Sequence, residues 1–232
     1  MMSILKLHNI TKTFGNFKAL DNINLIIESG KIIGLLGPNG SGKTTLIKII
    51  NGILQPTAGE VLINGHKPGI ESKKIISYLP EKTYFNPNMK VNNTLKYFKD
   101  FYLDFDINQA KKLLETFKIP LDKKMSELSK GMREKVQLTL VVCRQADLYI
   151  FDEPIAGVDP ASRDLIMNTI MQYFKPGSSV IISTHLIADI EKVIDEVIML
   201  KDGAISLSGN ADELREKMKT SIDGIFREVF RC

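Results

Sequence analysis

Apolar positions fall into two rhythms that alternate along the chain. Short runs of Ile, Leu and Val recur at 5–10, 24–28, 32–36, 60–63, 75–79, 148–151, 179–183 and 196–200. Most are β-branched and bounded by Gly, Pro, Asn or Asp, which marks them as strands. Between several of them, at 43–51, 131–144, 161–173 and 186–193, apolar residues return at three-and-four spacing and predict helices. Strands alternating with helices in this way imply βαβ units around a mostly parallel sheet, so the fold class is α/β. One stretch breaks the alternation. From about 92 to 135 the pattern reads as helical throughout, with Leu95, Phe98, Phe101, Tyr102 and Phe105 on one side. It predicts an inserted helical subdomain over about 82–145 within a single domain spanning 1–232. A last amphipathic helix is expected over about 210–232, where Ile222, Ile225, Phe226, Val229 and Phe230 share a face.

Composition changes this picture little. The 232 residues are 44% hydrophobic and 25% charged, ordinary for a globular chain, and a net charge of +4 gives no reason to expect a nucleic-acid partner. No apolar run reaches the roughly 18 to 20 residues that span a bilayer. Lys6 and His8 interrupt the first segment, so it reads as a strand and not a leader, and the chain is expected to begin and remain in the cytoplasm. The two cysteines, Cys143 in an apolar helical run and Cys232 at the terminus, fit neither a disulfide framework nor a metal-ligand spacing and read as structural thiols.

The chemistry begins after the strand at 32–36. Gly37-Pro38-Asn39-Gly40-Ser41-Gly42-Lys43-Thr44, followed by Thr45, fits G-x-x-x-x-G-K-[ST] in the required strand, loop and helix setting. The glycines let successive backbone N–H groups cradle phosphates at a helix N-terminus. Lys43 is expected on the β- and γ-phosphates and the Thr44 hydroxyl on Mg²⁺, which makes ATP and Mg²⁺ the expected cofactors. The alternative is a glycine-rich turn with a chance lysine.

A second site is written at 148–153, where an apolar run ends in two adjacent carboxylates. A P-loop nucleotidase needs a carboxylate at the end of a neighbouring strand, and Asp152 stands there, able to hold Mg²⁺ through water. Glu153 would then face the γ-phosphate and polarise the attacking water. The alternative is a solvated strand end. Pro154 stops the strand and leaves both acids at the carboxyl edge of the sheet, where ligands bind in folds of this class.

Glu127-Leu-Ser-Lys-Gly-Met-Arg133, immediately ahead of a predicted helix, resembles the signature motif of the ATP-binding cassette (ABC) ATPases, commonly LSGGQ. Ser129 and Gly131 match it, while Lys130 and Met132 depart from it. The resemblance covers nearly the whole chain and is greatest to ATP-binding proteins of ABC-2-type exporters. It implies a P-loop (RecA-like) core with a small antiparallel β subdomain and an inserted α-helical subdomain. It also implies roles for further positions. His185, in Ile182-Ser-Thr-His185, is similar to the switch histidine that contacts the γ-phosphate, and Ala156-Gly-Val-Asp159 is similar to the loop that touches the opposite subunit. Phe14 takes the place of the aromatic that stacks on adenine, with a core anchor as its alternative reading. Glu81, in Ser77-Tyr-Leu-Pro-Glu81, stands where the family usually has a glutamine that meets Mg²⁺. A carboxylate can still meet the metal, or it can turn to solvent.

The family mechanism implies two copies, or this chain with a paralogue, packed head to tail with each ATP between the P-loop of one subunit and Ser129 to Gly131 of the other. It also implies a separately encoded permease, docked beside Glu81 and the helical insertion, which would place the chain on the cytoplasmic face of the cell membrane. Seven aromatic side chains between Tyr84 and Phe105, and eleven basic against seven acidic residues over 90–135, suit such an interface, although most of those rings suit an amphipathic core as well. The transported cargo is expected to be a drug, an antimicrobial peptide or a lipid. The competing expectations are an ABC-type ATPase acting on ribosomes or DNA, and a nucleotide-gated scaffold with little hydrolysis.

Overall fold

The computed structural model describes residues 3–230. Its frame is a six-stranded sheet running through β5 (Ile76–Leu79), β6 (Leu148–Asp152), β7 (Ser179–Thr184), β3 (Ile32–Leu36), β8 (Glu196–Lys201) and β9 (Ala204–Asn210). The first five are parallel and β9 returns antiparallel to β8. Beside this sheet β2 (Phe17–Glu28), β1 (Ser3–Phe14) and β4 (Ala58–Ile63) form a separate antiparallel sheet.

The parallel strands read as unbroken apolar runs because both of their faces are covered. In β6, Tyr149 and Phe151 join a core shared with the inserted helices, while Leu148 and Ile150 join one shared with the antiparallel sheet and α1 (Lys43–Ile50). In β8, Val197 and Met199 face the first core and Ile198 and Leu200 the second. Sandwiched in this way, the strands fix where the loops that leave them begin.

Several expectations are corrected. The run at 186–193 is not a helix but a single 3-10 turn, Ile187–Asp189. Its apolar spacing is met because Ile187, Ile190 and Ile194 are all buried, and the Leu186 N–H donates to the Thr184 hydroxyl at 2.9 Å. The inserted stretch is not helical throughout. It divides into α3 (Val91–Phe101), α4 (Ile107–Thr116) and α5 (Lys130–Val142), all between β5 and β6, with Asp106 capping α4 and Ser129 capping α5. The terminal stretch holds two helices, α7 (Ala211–Met218) and α8 (Ile222–Val229), separated where Lys219 takes a left-handed φ of 52° and Ser221 begins a new cap. Residues 231–232, and with them Cys232, lie outside the described residues. Cys143 ends α5 fully buried, and burial pushes its thiol up to about 12.

Two further elements have no counterpart in the sequence reading. A short helix, α2 (Ile70–Ile75), precedes β5, and β9 follows a tight turn at Asp202-Gly203. Both turn residues have positive φ, 49° and 78°, the hairpin geometry that Asp-Gly favours.

Candidate active site

The loop between β3 and α1 turns at Gly42, whose φ is 108°. A Cβ there would come within 2.8 Å of both Ala19 O and Leu20 Cδ2, so only glycine lets the loop lie against β2. The Asp202-Gly203 turn supports the loop from the other side: Gly203 N donates to Ser41 O at 3.1 Å and Gly203 O accepts from Asp21 N at 2.8 Å. Ser41 is buried, with its hydroxyl making no hydrogen bond. Lys43 is buried too. Its ammonium donates to Gly37 O at 2.7 Å and Pro38 O at 3.2 Å and stands 3.3 Å from Glu153 Oε1, an ion pair without hydrogen-bond geometry.

Asp152 sits at the end of β6 and is 1% exposed. Its Oδ1 accepts from Ser183 Oγ at 2.7 Å and Thr44 Oγ1 at 3.2 Å, while its buried Oδ2 has no partner. Burial raises its pKa above the ordinary carboxylate value, the two hydroxyls oppose that rise, and the charges of Glu153 and Glu81 add to it. A buried carboxylate with a free oxygen beside a threonine hydroxyl fits a hard divalent cation, which prefers oxygen donors. Among the described residues no group of three or more His, Cys, Asp or Glu could enclose a metal.

Glu153 is held in a left-handed backbone conformation, φ 51°. For glutamate this costs on the order of 1 kcal/mol or more and persists only where neighbours fix it. They do: Glu153 N donates to both Ser183 O and Ser183 Oγ, at 3.1 and 3.0 Å. The kink aims the carboxylate at Lys43 on one side and at His185 Nδ1, 3.0 Å from Oε2, on the other. Ser183 therefore joins both acids. The sequence reading missed it, although a serine directly after the apolar run Val180-Ile181-Ile182 was the available signal.

A hollow of about 440 Å³ is lined by Phe14, Phe17, Ala19, Asn39, Gly40, Gly42, Lys43, Thr44, Thr45, Glu81 and Glu153. Phe14 is 49% exposed there, with Lys12 Nζ 5.1 Å from its ring centroid, which removes the core-anchor reading. Phe17 pairs with Phe14 across the hairpin and presents a second exposed ring that the sequence reading passed over. Glu81 is exposed and lines this hollow as well as a narrow cleft shared with Asp152, Glu153 and Gln137.

Ser129 and Gly131 are not brought into the hollow. They stand exposed at the start of α5, where Ser129 Oγ accepts from Met132 N at 3.2 Å and Lys130 pairs with Glu134 at 3.7 Å. Asp159 caps α6 (Pro160–Tyr173), whose Arg163 bonds Val158 O at 2.8 Å and Asp189 at 3.1 Å.

The sequence profile of the ABC transporter family matches residues 20–156, more than half of the chain. This protein is an ABC-family ATPase. An uncharacterized ABC transporter ATP-binding protein of Methanocaldococcus jannaschii is 34% identical over 224 residues, covering 92% of this chain and 80% of that protein. A Bacillus subtilis protein named as the SkfA peptide export ATP-binding protein is 29% identical over 210 residues, covering 88% of each. A solved structure of the ATP-binding subunit of an ABC transporter superposes with a TM-score of 0.86 at 24% identity, covering 98% of this chain and all of that one, and shows the same fold. The antiparallel sheet and the helices between β5 and β6 are thus the subdomains of an ABC cassette. Among the described residues no helix is long and apolar enough to cross a membrane.

Proposed function

We propose that this ABC ATPase hydrolyses ATP at sites completed by a second cassette and uses the cycle to drive a separately encoded permease in the export direction. One observation carries the reading: the P-loop and Glu153 line one hollow, with Asp152 bonded to Thr44 and His185 to Glu153 behind it, while Ser129 and Gly131 stand exposed and outside it, free to complete the hollow of another subunit. The phosphates would lie on the P-loop amides and Lys43, with the base against Phe14. Glu153, oriented by Ser183 and His185, accepts the proton of the attacking water, and His185 keeps that carboxylate in register with the γ-phosphate. Thr44 and Asp152, with Glu81 at the margin, would hold Mg²⁺, which neutralises charge on the β- and γ-phosphates. The second cassette is another copy of this chain or a paralogue.

A groove of about 620 Å³ between the parallel sheet and the inserted helices supports the permease partner. Ile53, Tyr84, Tyr97 and Phe101, each at least half exposed, line it, and Lys48, Lys73 and Lys82 add positive charge without an acidic lining residue. An amphipathic helix on the cytoplasmic side of a permease, carrying acidic residues, would fit this surface. The peptide-export name of the Bacillus subtilis relative supports the direction and a peptide-like cargo.

The test is ATP hydrolysis across a series of protein concentrations, for wild type and Glu153→Gln, alone and with the permease. A rate rising more steeply than protein concentration, lost in the variant while an ATP-bound dimer accumulates, supports the shared site. Variant activity near wild type removes Glu153 as the base. A pull-down returning ribosomes or DNA instead of a membrane protein removes the permease.

A further inference from the structure

The strand that leads to Glu81 is laced to α5 by side chains along its whole length. Arg144, 3% exposed just beyond the end of α5, donates to Ile76 O and, at 2.8 Å, to Lys74 O. Ser77 Oγ donates to Val141 O at 2.9 Å. At the far end Gln137, 2% exposed, donates through Nε2 to Pro80 O at 3.1 Å. Beyond that point the backbone hydrogen bonds stop: among the described residues, 81–85 make none. The tether nearest Glu81 is therefore the one on the preceding carbonyl. Pro80 offers no N–H, so its carbonyl is the only backbone group there that α5 can grip.

Gln137 also faces the right place. It lines the narrow cleft with Glu81, Asp152 and Glu153, and it rides on the helix whose first turn carries Ser129 and Gly131. A buried amide on a core-facing helix position carries a desolvation cost that leucine or alanine would avoid, and the Pro80 carbonyl is what offsets it.

We propose that Gln137 is a positioning residue that holds Glu81 against the Asp152–Glu153 pair and makes Glu81 move with the signature helix. Displacement of α5 is passed through one hydrogen bond to the carboxylate beside the metal position. The inference rests on the hydrolysis reading above. It predicts that loss of the Gln137 donor slows the chemical step without weakening nucleotide binding, because no group of the P-loop or of the Phe14 surface is touched.

The experiment compares wild type, Gln137→Met, which keeps length and lacks the donor, and Gln137→Asn, which keeps the amide but falls short of Pro80. Each is made alone and with Glu81→Ala, and kcat, KM for ATP and the Mg²⁺ concentration for half-activation are measured on the complex that shows activity. Both single variants should lose about tenfold to a hundredfold in kcat, the upper end being the scale of a roughly 1 Å misplacement at a reacting centre, with KM within about twofold. The Mg²⁺ requirement should rise. In the Glu81→Ala background neither should cause further loss, because a residue that acts through Glu81 has nothing left to act on. Wild-type kcat in both variants overturns the proposal, as do losses that multiply with that of Glu81→Ala. If one variant fails to fold, the other decides. A wild type silent both alone and with its permease overturns the hydrolysis reading and this inference with it, whereas an active wild type with insensitive variants overturns this inference alone.

Discussion

Asp152 is kept where a carboxylate is costly, and the cost follows from its role. Its Oδ2 is buried and unpartnered, and Glu153 and Glu81 add like charge nearby. A raised folded-state pKa means that the native chain holds a proton more readily than the unfolded one. Stability is therefore lost as pH rises through the window between the ordinary carboxylate value and the raised one, and the penalty is complete above it. Without Mg²⁺ or nucleotide, Asp152→Asn should melt about 2–4 °C higher than wild type at neutral pH, consistent with relief of about 1 kcal/mol in a chain of this size. That difference should shrink as pH falls through the window. Added Mg²⁺ and nucleotide should raise the melting temperature of wild type and do much less for the variant. Calorimetry across pH checks both parts, and a variant that melts lower at neutral pH would show that the carboxylate is not the source of strain.

At the scale of elements, the Asp202-Gly203 turn holds three pieces together: the β8–β9 hairpin, the P-loop through Ser41 O, and β2 through Asp21 N. A Cβ on Gly203 would come within 2.7 Å of Ala19 O, at a φ that L side chains rarely adopt. Gly203→Ala should therefore cost about 1–3 kcal/mol in urea unfolding and weaken nucleotide binding as well, because the strain falls on the segment behind the loop. A stability loss with unchanged ATP affinity would show that the turn is only a connector. The same turn marks the limit of sequence reading. Gly37 to Thr44 and Asp152-Glu153 were legible because phosphate and metal chemistry dictate residue type at fixed spacing. The β9 hairpin was missed although Asp-Gly announced it, because its only large apolar residues, Ile205 and Leu207, are separated by Ser206 and form no continuous apolar run. The helix expected at 186–193 failed for the opposite reason: its isoleucines have helical spacing, but the core reaches them through a single turn. Ser183 showed only as a polar residue after an apolar run, and its role lies in hydrogen bonds to Asp152 and Glu153 on the neighbouring strand end, which no local pattern encodes.

At the scale of the whole molecule, the proposed pairing has Ser129 and the P-loop of one chain serve different sites. This gives a complementation test. A chain carrying Lys43→Ala and a chain carrying Ser129→Arg should each be inactive alone. Mixed, they form a dimer in which one site joins the intact P-loop of the second to the intact signature motif of the first. About a quarter to a half of wild-type rate should return if that site works independently, given random pairing or strong preference for the mixed dimer. No recovery, with mixed dimers demonstrated by cross-linking, would mean that both sites must be intact or that Ser129 serves its own chain.

The support behind the P-loop has a consequence for the order in which the protein comes into being. Ser41 leaves the ribosome long before Gly203, yet the two share a hydrogen bond, and β7 and β8, which flank β3, also lie late in the chain. A nascent chain displaying the whole glycine-rich motif still lacks the strands that hold it, and synthesis runs on for roughly 8 to 30 seconds before Gly203 emerges. Competence to grip a nucleotide is thus acquired only once Gly203 has emerged, and a chain released before it carries the motif without the grip.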